Sequence, residues 1–572
     1  MKKSGPGLST DGKEPGLSRR AFLQRGLMGS ALLTASAAGL ISCRGGQIGN
    51  FGSPGSIRTY GGGIAGSNWK AGHMQARQGP FSPAETEKAG IVIVGGGISG
   101  LSAARELSKK HFSDFLVLEL AEKSGGNAAS GANSVSAYPW GAHYIPIPAD
   151  ETVFVRELFE DFGIIEGYDS RGLPIYNEFY LCADPHERLF IHGRWQEGLI
   201  PQLGISEKDK RQYAEFFGTM ERFKEVRGSD GRRAFSIPVD LSSQDSRFRR
   251  YDAVSMSRFM SDNGWDSEPL RWYVNYCCRD DYGCRMDETS AWAGIHYFAS
   301  RHGRGANADS SSVLTWPEGI GWIVNRMGEK MSSNIRCNAC VLNIETAGSD
   351  MAVDYFDIKR ETVVRILAKA VIYAAPRFTA FKVIKSFRER PPAYADRFGY
   401  APWMVANVTM KGVPEGRGAE VSWDNVSYYN DSLGYVVANH QSLARFREKT
   451  VLTCYFPLTA NEPFAERRKA LQRTYEEWAA MVIHDLSLMH PGIETSIEEV
   501  NVWLWGHAMI RPVPGLIWGK ARQEAMKPLG KIHFAHSDMS GISIFEEAQY
   551  RGIMASRAVL KDFARNNYSA AV

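Results

Sequence analysis

The sequence has little that marks metal, haem or nucleic-acid chemistry. Its eight cysteines include a Cys-x-x-Cys at Cys337 and Cys340. Val341 follows where a haem c attachment needs histidine, and no second pair completes a zinc site, so no metal centre is expected. The two thiols lie in a stretch that reads as a strand, where positions three apart face opposite ways, so both are read as small packing residues. Adjacent Cys277 and Cys278 are read as structural too. Charge is close to balance, +4 over 572 residues, and no run of one sign marks a nucleic-acid face or a sticky tail. No internal repeat is present. The Gly/Ala-rich stretch from Gly26 to Ser42 is too weakly hydrophobic for a permanent span. What is plentiful is apolar and aromatic content, 44% and 11%, enough for a large core and two domains rather than one.

The most informative stretch is Ile91-Val92-Ile93-Val94-Gly95-Gly96-Gly97-Ile98-Ser99-Gly100. Four apolar residues, all of them β-branched, read as a buried parallel strand, and the pattern after Gly100 reads as the helix it feeds. Between them lies G-x-G-x-x-G. Gly95 makes the turn, Gly97 lets the backbone approach a pyrophosphate at the helix N-terminus, and Gly100 lets helix and strand pack closely. A second strand, Phe115 to Leu118, ends in Glu119, at the distance where a βαβ unit holds ribose hydroxyls. A Gly-rich turn alone, such as Gly61-Gly62-Gly63, would carry no such message.

The next residues, Lys123-Ser124-Gly125-Gly126-Asn127, resemble the second half of the FAD fingerprint of flavin amine oxidases and their relatives, which include the carotenoid desaturases. That family usually has arginine on either side of the glycine pair; here Lys123 and Asn127 stand there. Three more segments carry the resemblance. Ala370-Val371-Ile372-Tyr373-Ala374-Ala375-Pro376 is similar to the family's returning strand, Thr315 to Gly321 to its Gly-rich helix entry, and Lys531-Ile532-His533-Phe534-Ala535-His536-Ser537-Asp538 to the strand ending in the ribityl acid. The His-Ser-Asp wording is closest to bacterial spermidine dehydrogenases. A helix-like run from about Phe545 to Phe563 follows. Its N-terminus would stabilise negative charge on a reduced flavin. A helix N-cap is the alternative reading of Asp538, and both roles can hold together.

The resemblance implies an α/β fold: a Rossmann-type FAD-binding domain with an interleaved α+β substrate domain. FAD segments are expected at 89–150, 310–385 and 500–572, and substrate segments at 151–309 and 386–499. It implies cofactor contacts at Gly95, Gly97, Ser99, Gly100, Glu119, Gly125, Gly126, Asn127, His143, Val341, Pro376, Asp538, Ser540, Glu547 and Ala548. FAD is expected to be non-covalent, because Trp503-Leu504-Trp505-Gly506-His507 lacks the cysteine that carries covalent flavin in some amine oxidases.

The N-terminus reads as an address. Ser18-Arg19-Arg20-Ala21-Phe22-Leu23 matches a twin-arginine export signal, and Leu40-Ile41-Ser42-Cys43 is similar to a bacterial lipobox, with Cys43 the residue acylated. Ordinary cleavage nearby, with Cys43 incidental, is the alternative. Residues 1–42 are the expected signal peptide and 43–88 a flexible linker. The signal removes six basic and two acidic residues, leaving equal numbers of each. The expected home is the periplasmic side of a bacterial membrane, reached by the twin-arginine machinery, which exports proteins folded around a cofactor. No nucleic-acid partner is expected.

Catalytic candidates are fewer. His143, in the segment that passes the flavin ring, is either a base or orienting group or a packing histidine. Trp505 is either a wall of the substrate cage or core. Asp281, in Arg279-Asp280-Asp281-Tyr282-Gly283, reads as half of an acidic pair for a cationic substrate or as turn chemistry. Many amine oxidases carry a lysine near the flavin on the strand at 402–408; here Ala406 or a neighbour takes that place, and Lys411 lies too far along. The expected reaction is hydride transfer from a small-molecule amine or polyamine to flavin N5, with electrons passing to an unidentified acceptor. The alternatives are desaturation of an apolar substrate and a non-catalytic FAD-binding lipoprotein scaffold. An acidic pocket favours the first, an apolar tunnel the second, a blocked ring face the third.

Overall fold

The computed structural model describes residues 60–66, 69–76, 82–443 and 447–565. The twin-arginine motif and Cys43 lie outside them. In chain order, β1 (Gly61–Ala65) precedes the βαβ unit of β2 (Glu85–Val94), α1 (Ile98–Lys109) and β3 (Phe115–Leu118). Then come β4 (Glu187–Ile191), β5 (Arg194–Glu197), α2 (Glu268–Tyr282) and α3 (Ala291–Ala299). The chain continues through β6 (Ile335–Arg336), β7 (Ala339–Ala347), β8 (Asp350–Asp357), β9 (Thr362–Tyr373) and β10 (Tyr400–Lys411). It ends through β11 (Asp424–Ser427), β12 (Tyr435–Val437), β13 (Lys449–Pro457), β14 (Ile497–Ile510), β15 (Ile532–Phe534) and α4 (Phe545–Arg565).

Ile91, Val92 and Ile93 are fully buried, as an apolar β-branched run between two helix layers must be. They form the centre of a seven-stranded sheet ordered β6–β3–β2–β9–β8–β7, with β15 beside β9. The expected runs at 362–367 and 370–373 are one strand. Its first half pairs antiparallel with β8 and its last three residues parallel with β15, so two chain segments share one edge. α4 crosses this sheet against α1, and at Gly552 a Cβ would collide with Ser99 O. That close approach explains why the last helix can complete a domain begun near residue 85.

A second, eight-stranded sheet is ordered β1–β14–β10–β13–β12–β11–β4–β5. Helical segments cover it, and their core is aromatic: Phe216, Trp265 and Phe298 meet edge to face at 5.2–5.3 Å. The segment 43–88, expected as linker, includes β1, paired in parallel with β14, and a helical stretch at Trp69–Ala76. All seven described cysteines are free thiols. Cys340 donates to Ala71 O at 3.3 Å. Among the described residues, no helix is long and apolar enough to cross a membrane.

Candidate functional site

Two features meet at the carboxyl ends of the first sheet's parallel strands: a glycine-lined groove and a cavity. At Gly100 a Cβ would collide with Gly95 O, so the turn closes only around glycine. Gly97 bridges to Gly125, and Gly125 N–H donates to Gly96 O at 2.9 Å, which lays the two glycine segments side by side as bare backbone. The free N–H groups of the first turn of α1 face that surface. Glu119 accepts from Gly96 N–H at 2.7 Å and Ala121 N–H at 2.8 Å. Burial pushes its carboxyl up from the ordinary range, against the pull of those hydrogen bonds.

Asp538 follows β15 and is fully buried. Its Oδ2 accepts from Arg377 N–H at 2.7 Å and the Tyr400 hydroxyl at 2.5 Å. Oδ1 lies 3.0 Å from His536 Nδ1 but accepts no hydrogen bond. Burial alone would raise this carboxyl; His536 and the two donors hold it below its ordinary value. Pro376 stands one residue before the Arg377 donor, at the N-cap of the helix after β9.

The cavity, about 890 Å³ including its mouth, opens between the two sheets. One wall is aromatic. His143 stacks on Tyr455 at 4.6 Å, and Tyr455 donates to Gly141 O at 2.9 Å. Trp505 donates to Trp140 O at 2.6 Å, and Trp403 completes the wall. The other wall is charged: Asp280, Asp281, Arg301 and Glu546. Asp281 pairs with Arg301 at 2.6 Å, and Arg301 sits 4.4 Å over the Tyr297 ring. Glu546 is 5% exposed and makes no ion pair among the described residues, and burial pushes it up to about 7.

Most of the residues named from sequence converge here, and several take different roles. Gly95, Gly97, Gly100, Glu119, Gly125, Gly126 and Asp538 line or frame the groove. Asn127 reaches the cavity, its side-chain amide donating to Ala508 O. His143 and Trp505 are cavity walls. Asp281 is no turn residue: α2 runs through it and ends at Gly283, whose φ of 59° caps the helix. Ser99 donates to Ala535 O, so its hydroxyl ties α1 to the last strand. Ser540 accepts from Arg551 Nε at 2.8 Å, and Arg551 grips Asp240 through two bonds of 2.7 Å. Glu547 accepts from Val239 N–H at 2.6 Å. Arg551 and Glu547 thus fasten α4 to the helical region; the neighbouring Glu546 is the one that faces the cavity. Ala548 lies in the first turn of α4, its N–H on Ile544 O. Val341 O accepts from Gln75 Nε2 at 3.2 Å. Arg301 and Tyr455 carried no sequence signal, because only the fold brings them to the cavity. As the sequence implied, no lysine stands among the cavity residues: Trp403 and Val405 of β10 face it, and Lys411 is exposed.

Residues 93–162 match the family model of an NAD(P)-binding Rossmann-like domain. Over 123 residues the chain is 29% identical to the mitochondrial dimethylglycine dehydrogenase of Mus musculus, covering 21% of this chain and 14% of that one. Over 66 residues it is 39% identical to the chloroplastic protoporphyrinogen oxidase of Oryza sativa subsp. japonica, covering 11% and 12%. It thus spans less than a fifth of either curated relative. The similarity to a solved structure of wild-type putrescine oxidase bound to putrescine runs much further, over 83% of this chain and 100% of that one, with 15% identity and a TM-score of 0.60. The chain has a mixed α/β fold with a Rossmann-type dinucleotide-binding domain and an amine-oxidase-like architecture.

Proposed function

We propose that the chain is an FAD-dependent oxidoreductase that takes a hydride from an amine or polyamine. The observation that carries the substrate class is on the charged wall of the cavity: the buried Glu546 makes no ion pair among the described residues, and the nearby Arg301 is already engaged by Asp281. A cationic ligand gives Glu546 its partner; a neutral apolar one does not.

The residues present fit FAD. The paired glycine segments give bare backbone for a pyrophosphate, Glu119 stands where ribose hydroxyls are held, and the buried Asp538 Oδ1 lacks the donor that a ribityl hydroxyl provides. No cysteine lines the cavity, which favours non-covalent binding. Bound there, FAD supplies the two-electron acceptor for the hydride. The protein's share is placement. Trp505, fixed by its bond to Trp140 O, and the His143–Tyr455 stack form a rigid aromatic wall that excludes water and orients an alkyl chain. Asp280 and Glu546 hold the cationic end. The twin-arginine-like and lipobox-like sequences within residues 18–43 support a periplasmic setting for this proposal, with export by the twin-arginine route, a lipid anchor at Cys43 and an acceptor still to be identified.

The substrate class is tested by the pH dependence of KM for a diamine. KM falls between pH 6 and 8 as Glu546 ionises, and Glu546→Gln removes that fall while leaving the same chain-length monoamine little affected. A KM for diamine that is independent of pH in this range, or equal losses for both amines, contradicts it.

A further inference from the structure

The chain is close to charge balance, yet one helix carries a surface of its own. The helix Pro463–Gln472 reads Pro-Phe-Ala-Glu-Arg-Arg-Lys-Ala-Leu-Gln and buries Pro463, Glu466 and Ala470. Those positions share one stripe, so Phe464, Arg468 and Leu471, four and three residues apart, share the opposite one. Phe464 is 59% exposed and Leu471 51%. Two apolar side chains thus stand outward around an arginine, with the exposed Lys469 and Arg473 beside them. Most acids of the same stretch are engaged elsewhere. Glu462 accepts from Phe464 N–H at 2.9 Å, Glu477 accepts from Thr474 N–H at 2.8 Å, and Glu466 is buried 3.4 Å from the Lys469 ammonium. Arg468 and Arg473 are left in excess over Glu476.

Two features fix what this face looks at. The helix lies on the side of the second sheet away from the cavity: Met404 and Ala406 of β10 share a core with its Ala470, whereas Trp403 and Val405, which alternate with them, line the cavity. The chain also enters the fold here. Tyr60 packs against the same core as Tyr475, the first residue of the next helix, Tyr475–Met489, and the Tyr475 hydroxyl donates to Gly61 O at 2.9 Å. Arg473 lies two residues before Tyr475, and Cys43 lies upstream of Tyr60.

We propose that the helix Pro463–Gln472 is a second membrane contact, which rests its Phe464–Arg468–Leu471 face on an anionic bilayer. This rests on the lipid-anchored reading of the N-terminus. Phe464 and Leu471 enter the headgroup layer, and Arg468, Lys469 and Arg473 lay their apolar stems there while their charges meet lipid phosphates. Each basic side chain near such a surface strengthens binding about fivefold. A lipid on Cys43 joins the fold beside this face and holds the contact at high effective concentration, so neither signal has to be strong alone. The cavity lies on the sheet's other face, away from the bilayer, as a water-soluble amine requires.

The test uses the mature chain in two forms. One is taken from the membranes of the bacterium that expresses it, and its mass reads the acyl groups on Cys43. The other begins at residue 44, keeps every described residue and carries no lipid. Flotation with vesicles of phosphatidylcholine, alone or mixed with phosphatidylglycerol, is expected to carry the lipid-free form with the anionic mixture only, and less of it as salt rises. The double variant Phe464→Asp/Leu471→Asp is expected to bind at least about tenfold more weakly, with unchanged near-ultraviolet dichroism. Phe179→Asp, at another exposed aromatic residue, is expected to bind as the parent does. Binding that ignores phosphatidylglycerol, or a loss shared equally by Phe179→Asp, overturns the membrane contact, as does a concentration-dependent dimer that the double variant abolishes. An acylated Cys43 together with a lipid-free form that stays off the vesicles overturns the contact and leaves the anchor standing. A Cys43 without acyl groups overturns the anchor, and the proposal with it.

Discussion

Glu546 is the residue on which the cavity's chemistry turns, and its pH behaviour has a definite sign. Burial raises its folded pKa from 4.5 to about 7. The folded state therefore holds this proton more tightly than the unfolded chain, so Glu546's contribution to stability is fully present below about pH 4.5 and is lost as pH rises through about 7. Glu546→Gln abolishes this loss. The variant is expected to match the parent near pH 4 and to exceed it at pH 8, by up to about 3 kcal/mol, read from denaturant midpoints at both pH values; a constant difference would contradict the assignment. Asp281 acts through its ion pair, because it neutralises the buried Arg301 guanidinium. Asp281→Asn leaves Arg301 unpaired and is expected to destabilise by about 3–5 kcal/mol in urea unfolding, whereas a loss below 1 kcal/mol would mean the pair is solvated. At this scale the sequence was only partly legible. Gly100 and Glu119 announce themselves through spacing, but which of Glu546 and Glu547 faces the cavity depends only on how α4 presents them, about 100° apart.

Among elements, those written in local pattern were legible. The β2–α1–β3 unit follows from an apolar run, glycine spacing and helical periodicity, and Gly100→Ala is expected to abolish FAD retention, measured as the flavin content of the purified protein, because its Cβ collides with Gly95 O; a fully loaded variant would contradict the groove. α2 shows a pattern misread: Asp280-Asp281-Tyr282-Gly283 resembles a turn, yet it is the last turn of a helix with a left-handed glycine cap. β1 is not legible in local pattern. Nothing in Gly-Gly-Gly-Ile-Ala predicts a strand; it exists because the open edge of β14 accepts it.

Across the whole molecule, the two sheets divide the work. The first carries the dinucleotide groove on a scaffold completed from three separate chain segments, and the second offers β10, β13 and β14 as the aromatic wall. The alternation of segments was legible from motifs, but the meeting of the charged and aromatic walls was not, since Asp281, Arg301, Tyr455 and Glu546 are far apart in the chain and converge only when it folds. Anaerobic mixing of the purified holoprotein with diamines, monoamines and fatty acids tests what that meeting of walls is for. Amines, diamines most rapidly, are expected to discharge the absorbance of the oxidised flavin, and fatty acids to leave it unchanged. Discharge by fatty acids alone, or no discharge by any amine with FAD fully bound, would contradict the amine reading.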